Sequence, residues 1–209
     1  MSGPLTRRSL SRVLALTAGR GAAHVDGILE PRFRTALWRE IQDGPLRSMT
    51  GTFGAAGVRM EIDGFDLVAP FEGFPRLREL ADVFTERVVS DGAAVRGLRT
   101  WRPNEAGVGV YRPGSIGITA HLDGRRYRRL VAVFTLVGSA AFEVRTSREG
   151  AVDQRWRARA GGVTLLRGPG LAGSTDGRPF HAVHSPARGL RCSLALRMAV
   201  PDRPSGPRK

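Results

Sequence analysis

The chain has 209 residues, of which 41% are hydrophobic and 25% charged, a balance typical of a globular protein with a sizeable core. Its formal net charge of +14 would attract anionic partners, although Lys209 is the only lysine and the excess is therefore arginine. The terminal position of that lysine excludes a P-loop, and the single cysteine, Cys192, excludes an internal disulfide and a cysteine-based zinc site.

The first half of the chain carries three segments with helical periodicity. Residues 5–18 are arginine-rich with apolar side chains at helical spacing, and Phe33, Leu37 and Ile41 repeat at every fourth position. In residues 75–89 the apolar side chains form one stripe behind a proline that suits the first turn. We predict three helices that pack against a sheet through these stripes.

After residue 100 the pattern changes to short strands separated mostly by turns that contain glycine or proline. The predicted strands are residues 108–111, 116–122, 130–137, 141–145, 163–166, 180–184 and 190–198. They indicate an α+β fold in which residues 101–199 form a double-stranded β-helix, or jelly roll. We expect residues 1–100 to be a helical, substrate-side segment that buttresses this core, and residues 200–209 to be a disordered tail.

Two histidines and one aspartate in these strands form a candidate metal site. His121 and Asp123 are two positions apart, so their side chains point to one face of a strand. His181 and His184 are both candidates for a third ligand, and because they are three positions apart only one can face the metal. Such a triangle leaves the opposite side of the metal open, and Arg191 adds a cation for a carboxylate, as in non-haem Fe(II) oxygenases.

Longer motifs around these residues resemble those of the Fe(II)/2-oxoglutarate oxygenases. Residues 111–123 read Tyr-Arg-Pro-Gly to His-Leu-Asp and resemble the Tyr-x-x-Gly and His-x-Asp strand pair of that superfamily. Residues 181–191 begin His-Ala-Val, end Gly-Leu-Arg, and resemble its distal hairpin. Arg191-Cys-Ser-Leu-Ala-Leu-Arg197 resembles the last strand of AlkB-type enzymes. The resemblance spans about residues 100–198.

The resemblance implies a cofactor and a cosubstrate. It implies that Fe(II) is held by three ligands, namely His121, Asp123 and His181, of which His181 has the family spacing to Gly189 and Arg191. It also implies that 2-oxoglutarate and O2 are cosubstrates, and that three side chains contact 2-oxoglutarate: Arg191 at its distal carboxylate, Arg197 near the other carboxylate, and Tyr111 through its phenol. A guanidinium suits this task because its donors meet a carboxylate in pairs.

The sequence departs from the family pattern at three places. Gly109 stands where AlkB-type enzymes carry an asparagine, which removes a side-chain hydrogen bond. The interval from Tyr111 to His121 is one residue longer than usual, which predicts a displaced tyrosine or a bulge. The Gly-Asp that precedes the sixth core strand reads Gly161-Gly162, a change that we expect to affect a turn.

Two further features have no family counterpart. His24 lies in a stretch rich in glycine and alanine, and we expect an exposed side chain there. Four arginines in residues 125–129 follow the metal pair, where they form either a binding surface for an anionic substrate or a solvated loop and strand edge.

These observations favour an Fe(II)/2-oxoglutarate-dependent dioxygenase that hydroxylates a C–H bond of a small molecule or peptide. The first alternative is an AlkB-type demethylase of alkylated nucleic acid, a partner that the arginine skew does not favour. The second is a cupin-like binding protein without catalysis, which would not need Arg191 and Arg197. No apolar run approaches the ~18 residues of a membrane helix, and Arg12 interrupts any signal-peptide core, so we expect a cytoplasmic protein. The sequence leaves the oligomeric state open.

Overall fold

The computed structural model describes residues 3–201 as three α-helices and eleven β-strands. The helices are α1 (Ser11–Arg20), α2 (Pro31–Gln42) and α3 (Pro75–Asp91). The strands are β1 (Ala22–Val25), β2 (Arg47–Phe53), β3 (Val58–Val68), β4 (Glu105–Tyr111), β5 (Gly117–His121), β6 (Tyr127–Val137), β7 (Ser139–Arg145), β8 (Val152–Arg159), β9 (Val163–Arg167), β10 (Phe180–Val183) and β11 (Arg191–Ala199). From residue 202 onward, the predicted tail lies outside the described residues.

The strands form two facing layers of a jelly roll. The larger layer has the order β1-β9-β6-β11-β4-β3, and the smaller has the order β5-β10-β7-β8. The remaining strand, β2, forms a hairpin with β3. All the pairs are antiparallel, and β3 joins the layers because its residues Met60 and Glu61 also pair with the start of β5. The layers therefore enclose a barrel-like interior, and the predicted α+β jelly roll is confirmed.

The three helices cover the outer face of the larger layer. Alternate residues of its strands point outward, including Phe134 of β6 and Leu194 of β11, and pack against the apolar stripes of the helices. Phe84 of α3 makes edge contacts with both Phe134 and Trp101. The remaining alternate residues point into the barrel, where Val131, Phe142 and Leu166 form a second apolar cluster.

The structure corrects several predicted elements. The first helix begins at Ser11 rather than residue 5, because Leu5 pairs in extended conformation with Leu29. Residues 1–100 are not only helical, since they also contain β1, β2 and β3. Two of the missed strands lack a plain apolar alternation, since β1 has four residues and β2 is exposed along almost its whole length. β3 and β8 were not predicted either, although apolar and polar residues alternate in residues 58–63 and 156–159. The unpredicted β8 has arginines on its outward face.

No helix among the described residues is both long and apolar enough to cross a lipid bilayer.

Candidate metal centre

Three side chains predicted as metal ligands meet at the interior end of the smaller layer. His121 is the last residue of β5, and its Cα is paired directly with that of His181 on β10. Asp123 follows two residues after β5 ends. One potential ligand atom from each residue lies within 4.8 Å of the others, and His181 Nε2 is 4.0 Å from Asp123 Oδ1. The three atoms are close enough to bind one ion.

Both histidines present the same nitrogen to the cluster. Nδ1 of His121 is 2.9 Å from the carbonyl oxygen of Thr119, and Nδ1 of His181 is 3.1 Å from the carbonyl oxygen of Pro179. A carbonyl oxygen only accepts, so Nδ1 carries the proton in each ring and Nε2 keeps its lone pair for a metal. The ring of Phe142 stacks on His181 at 5.5 Å and fixes its plane.

The neutral state of His121 near pH 7 favours metal binding. Burial is the main reason why the pKa of His121 falls to about 4, and the neighbouring His181 lowers it further, against the opposing effect of Asp123. His121 is therefore neutral near pH 7, and only a neutral imidazole can donate a lone pair to an ion. Two imidazoles and one carboxylate on one side suit Fe(II) with open coordination positions.

The cluster opens into a cavity of about 250 Å³ inside the barrel. Apolar side chains form its walls, including Val131 and Val133 of β6, while Gly107 and Gly109 of β4 leave room on another side. A Cβ at position 107 would lie 2.7 Å from the Arg197 guanidinium, and one at position 109 would lie 3.3 Å from the Tyr111 ring. Gly109, which stands where AlkB-type enzymes carry an asparagine, thus leaves space in a crowded part of the cavity.

Arg191 is buried beside this cavity with donors that lack acceptors. Its side chain is 1% exposed, and its Nη2 donates to Thr135 Oγ1 at 3.2 Å. The guanidinium lies 4.9 Å from the centre of the Tyr111 ring. Among the described residues, neither Nε nor Nη1 of Arg191 has a hydrogen-bond partner. Because an unsatisfied buried cation is costly, this geometry fits an anionic ligand such as a carboxylate.

Arg197 lines the cavity on the side of Asp123. Its Nη1 donates to Asp66 at 3.2 Å and to the Tyr127 hydroxyl at 3.4 Å, and its guanidinium lies over the Tyr127 ring. Its Nε is buried without a partner among residues 3–201. Arg197 can therefore approach a ligand of the metal, while Arg191 lies three inward-facing positions away on β11, with Ser193 and Ala195 between the two arginines.

Two residues that the sequence did not single out, Arg178 and Asp176, stabilise the backbone at Asp123. Arg178 donates to the backbone carbonyl of Asp123 and is held by Asp176 at 2.8 Å. Arg178 is the main reason why the pKa of Asp176 lies well below its usual value. Both residues lie in the loop before β10, and a pair with one intervening residue gives no motif that would have identified them.

The structure separates the remaining sequence candidates. His184 lies near the outer surface, with a side chain that is 45% exposed and 3.2 Å from Glu143. Arg125 and Arg126 form ion pairs with Asp176 and Glu105 at 2.9 and 2.5 Å. These ion pairs favour the second interpretation of residues 125–129, a solvated loop and strand edge, for Arg125 and Arg126.

The prediction for His24 is wrong. Its side chain is 6% exposed and lies inside the barrel, where its ring stacks on Trp156. The expectation failed because four residues of β1 are too few for alternation to be recognised.

Comparison with known proteins gives a structural relationship only. The sequence matches no protein-family model and no curated protein. The structure is similar to a prolyl-4-hydroxylase from Pseudomonas putida, with a TM-score of 0.62 and 17% identity over 92% of this chain and 100% of the other. A prolyl hydroxylase from Trichoplax adhaerens, solved with a hypoxia inducible factor peptide fragment, has a TM-score of 0.63 and 14% identity over 91% and 89% of the two chains.

A third similar structure is the non-heme alpha-ketoglutarate-dependent carbocyclase SnoK from nogalamycin biosynthesis. It has a TM-score of 0.63 and 12% identity, over 94% of this chain and 86% of SnoK. Together these similarities show that the chain has the jelly-roll fold of the 2-oxoglutarate and Fe(II) oxygenases.

Proposed function

We propose that this chain, which has the fold of the 2-oxoglutarate and Fe(II) oxygenases, is itself such a dioxygenase and hydroxylates a C–H bond. The observation that carries the proposal is the combination of an open His-Asp-His triangle with a buried arginine that lacks acceptors. A metal-binding protein of the cupin type would have use for the triangle. It would have no use for an unsatisfied guanidinium buried against Tyr111, whose ring lines the same cavity.

His121, Asp123 and His181 would hold Fe(II), and Arg191 would pair with the distal carboxylate of 2-oxoglutarate. Bound iron would supply the oxidation of a substrate C–H bond by O2, coupled to conversion of 2-oxoglutarate into succinate and carbon dioxide. The chain contributes orientation, since Nδ1 of each histidine is fixed by a carbonyl oxygen. The apolar walls of the cavity keep water from the reacting atoms.

Arg197 and Tyr111 would complete the binding of 2-oxoglutarate. Arg197 reaches the cavity near Asp123, where the keto-acid end of 2-oxoglutarate would lie, and its Nε still has a hydrogen to donate. Tyr111 lies between the cavity and Arg191, with its ring against the guanidinium. The two arginines are six residues apart on β11 and share the inner face of that strand.

An apolar part of the cavity lining supports a small molecule or a peptide as substrate. It consists of side chains of the β2–β3 hairpin, including Met49, Phe53 and Met60. Phe53 is 42% exposed, as expected of a surface that meets a partly apolar ligand. The nearest arginines in sequence, Arg125 and Arg126, are engaged by carboxylates, which lowers their value for holding phosphates.

The direct test is succinate formation by purified protein supplied with Fe(II), 2-oxoglutarate and O2. We expect slow succinate release alone and faster release with a true substrate from a panel of small molecules, peptides and methylated oligonucleotides. Arg191→Ala should raise the KM for 2-oxoglutarate by roughly tenfold to 100-fold, because it removes a charge-assisted hydrogen bond.

Arg188→Ala provides the matched control, because this arginine is exposed and three residues away. It should leave the KM unchanged. If Arg191→Ala has no effect on the dependence on 2-oxoglutarate, the oxygenase proposal is wrong and a cupin-like binding protein is favoured. Stimulation by a methylated oligonucleotide alone would instead favour the AlkB-type alternative.

A further inference from the structure

Strand β8 is an open edge of the smaller layer. Among the described residues it is paired on one side only, with β7. Just after β8, Ala160 donates its backbone N–H to the carbonyl oxygen of Gly138 at 2.9 Å, and these two residues continue the β7–β8 register. Hydrogen-bonded positions alternate along an antiparallel pair, so the even-numbered residues from 154 to 158 also bond to β7. The backbone N–H and C=O groups of Arg155 and Arg157 therefore face away from β7.

The side chains of the same residues make this edge basic. The ring of Trp156 packs inside the barrel near Phe142, so the alternate residues Arg155, Arg157 and Arg159 lie on the outer face of the layer. All three arginines are exposed. Two positions along a strand span about 7 Å, which is also the spacing of alternate side chains in any strand that lies beside it.

The neighbouring carboxylate of Glu143 is shared among several basic groups. Glu143 is a buried residue of β7, and one of its oxygens lies 3.6 Å from Nε of Arg155. The same carboxylate lies 3.1 Å from Nη2 of Arg145 and 3.2 Å from Nε2 of His184. One negative charge therefore compensates only part of the positive charge on this face.

Arg157 has the least compensation of the three arginines. Its Nε donates to the hydroxyl of Ser139 at 3.1 Å, and it forms no ion pair within residues 3–201. Arg159 lies 3.6 Å from Asp26, and both side chains are at least half exposed. The acidic residue of β8 itself is Asp153, near the start of the strand. The strand keeps a positive charge that an acidic partner can compensate.

A groove on this outer face leaves room for side chains of a partner. It has a volume of about 580 Å³. Its lining includes the small side chains of Ser139 and Ala141 together with Arg155, Arg157 and His184. An acidic side chain that enters the groove would therefore lie next to guanidinium groups.

We propose that the β8 edge binds an extended acidic segment of another protein by strand addition. The backbone of the segment pairs with the free N–H and C=O groups of Arg155 and Arg157, and its acidic side chains, at alternate positions, lie beside the arginines. A second copy of this chain does not fit, because two β8 edges would bring arginines opposite arginines. A nucleic acid matches the charge but lacks the regularly spaced donors and acceptors of an extended backbone. The inference is independent of the proposed function.

The test measures the binding of short synthetic peptides to the full-length protein by fluorescence anisotropy. In one peptide glutamate alternates with threonine, and in a second peptide of the same composition the glutamates form one block. We expect the alternating peptide to bind about tenfold more tightly. Equal binding of both peptides, or of single-stranded DNA of the same charge, would overturn the proposal. Absence of binding would also overturn it and would leave the arginines as a guard against strand pairing.

N-methylation of the peptide tests the backbone pairing, because it removes a hydrogen-bond donor and keeps the side-chain charge. In an antiparallel addition the glutamates opposite the arginines direct their N–H groups to β8, and the N–H groups of the threonines point away. Methylation of the glutamate nitrogens should therefore weaken binding by about tenfold, and methylation of the threonine nitrogens should have little effect. The reverse order would indicate parallel addition, whereas equal effects would contradict strand addition.

Charge reversal tests the arginines. Arg157→Glu should raise the Kd for the alternating glutamate peptide by about tenfold and should allow binding of a lysine–threonine peptide, which wild type should not bind. Arg47→Glu is the matched control, because Arg47 is an exposed arginine on β2, which is also paired on one side only. It should change neither affinity. Circular dichroism shows that each variant is folded. If folded Arg157→Glu binds both peptides as wild type does, the proposal is wrong.

Discussion

The metal cluster and the polar residues around Arg191 lie in one barrel but are built differently. The metal cluster comes from two directly paired positions on β5 and β10 and a residue two positions beyond one of them. The polar residues around Arg191 come from different strands of the larger layer, with Tyr111 on β4, Thr135 on β6 and Arg191 on β11. The first is a local arrangement with a characteristic spacing. The second depends on how distant strands are ordered, so no short motif encodes it.

The largest expected effect is loss of the metal cluster itself. His181→Ala removes one of three ligands and should weaken Fe(II) or Mn(II) binding by roughly 100-fold or more, measured by calorimetric titration under anaerobic conditions. Thermal unfolding of the metal-free variant measures separately the cost of removing a buried ring that stacks on Phe142.

His184→Ala is the matched control, because this residue is three positions away and contacts Glu143 instead of the cluster. It should bind metal as wild type does. The reverse result, with metal binding lost in His184→Ala and kept in His181→Ala, would show that the ligand assignment is wrong.

A smaller effect is expected in the loop before β10, where Arg178 bonds to the backbone of Asp123. Asp176→Asn weakens the hold on Arg178, which bonds to the Asp123 carbonyl, and should lower the free energy of unfolding by about 1 kcal/mol near neutral pH. The folded protein lowers the pKa of Asp176, so its stabilisation is present above the unfolded value of about 3.9 and disappears as the pH falls below it.

Urea unfolding at several pH values checks this prediction. The difference between wild type and Asp176→Asn should narrow below about pH 4. Asp153→Asn, at an exposed carboxylate on β8, should show no such difference. A constant difference from neutral to acidic pH would mean that the charge of Asp176 is not what stabilises this loop.

The smallest effect is expected at the arginines that follow Asp123 in the sequence. If the arginines of residues 125–129 are paired surface side chains, Arg125→Ala should change the affinity for single-stranded or duplex DNA by less than about twofold. Fluorescence anisotropy should also show weak binding that collapses between about 50 and about 200 mM salt. DNA binding that resists salt and falls strongly in Arg125→Ala would instead show that Arg125 belongs to a nucleic-acid-binding surface.

The sequence predicted much of the larger architecture because it rests on repeated, local signals. The buried strand β6 is a continuous apolar run, and α3 carries a full apolar stripe, so both were predicted within a few residues of their bounds. His121 and Asp123 were visible as metal-ligand candidates for a similar reason, since a spacing of two in a strand predicts a common face. His181 was favoured by the resemblance to the Fe(II)/2-oxoglutarate oxygenases. β1 and β2 were missed because a four-residue strand and an exposed strand leave no alternation to detect.

By itself, the sequence determined the jelly roll, the candidate residues of the metal cluster and the presence of Arg191 on the last strand. Only the tertiary structure decided that His24 is buried and that Arg125 and Arg126 are paired. It also brings His181, which the resemblance favoured over His184, to the cluster. The physical reason is that a side chain's face is set by local periodicity. Its burial and partners are instead set by which distant strands and loops lie next to it, and that ordering is a property of the whole fold.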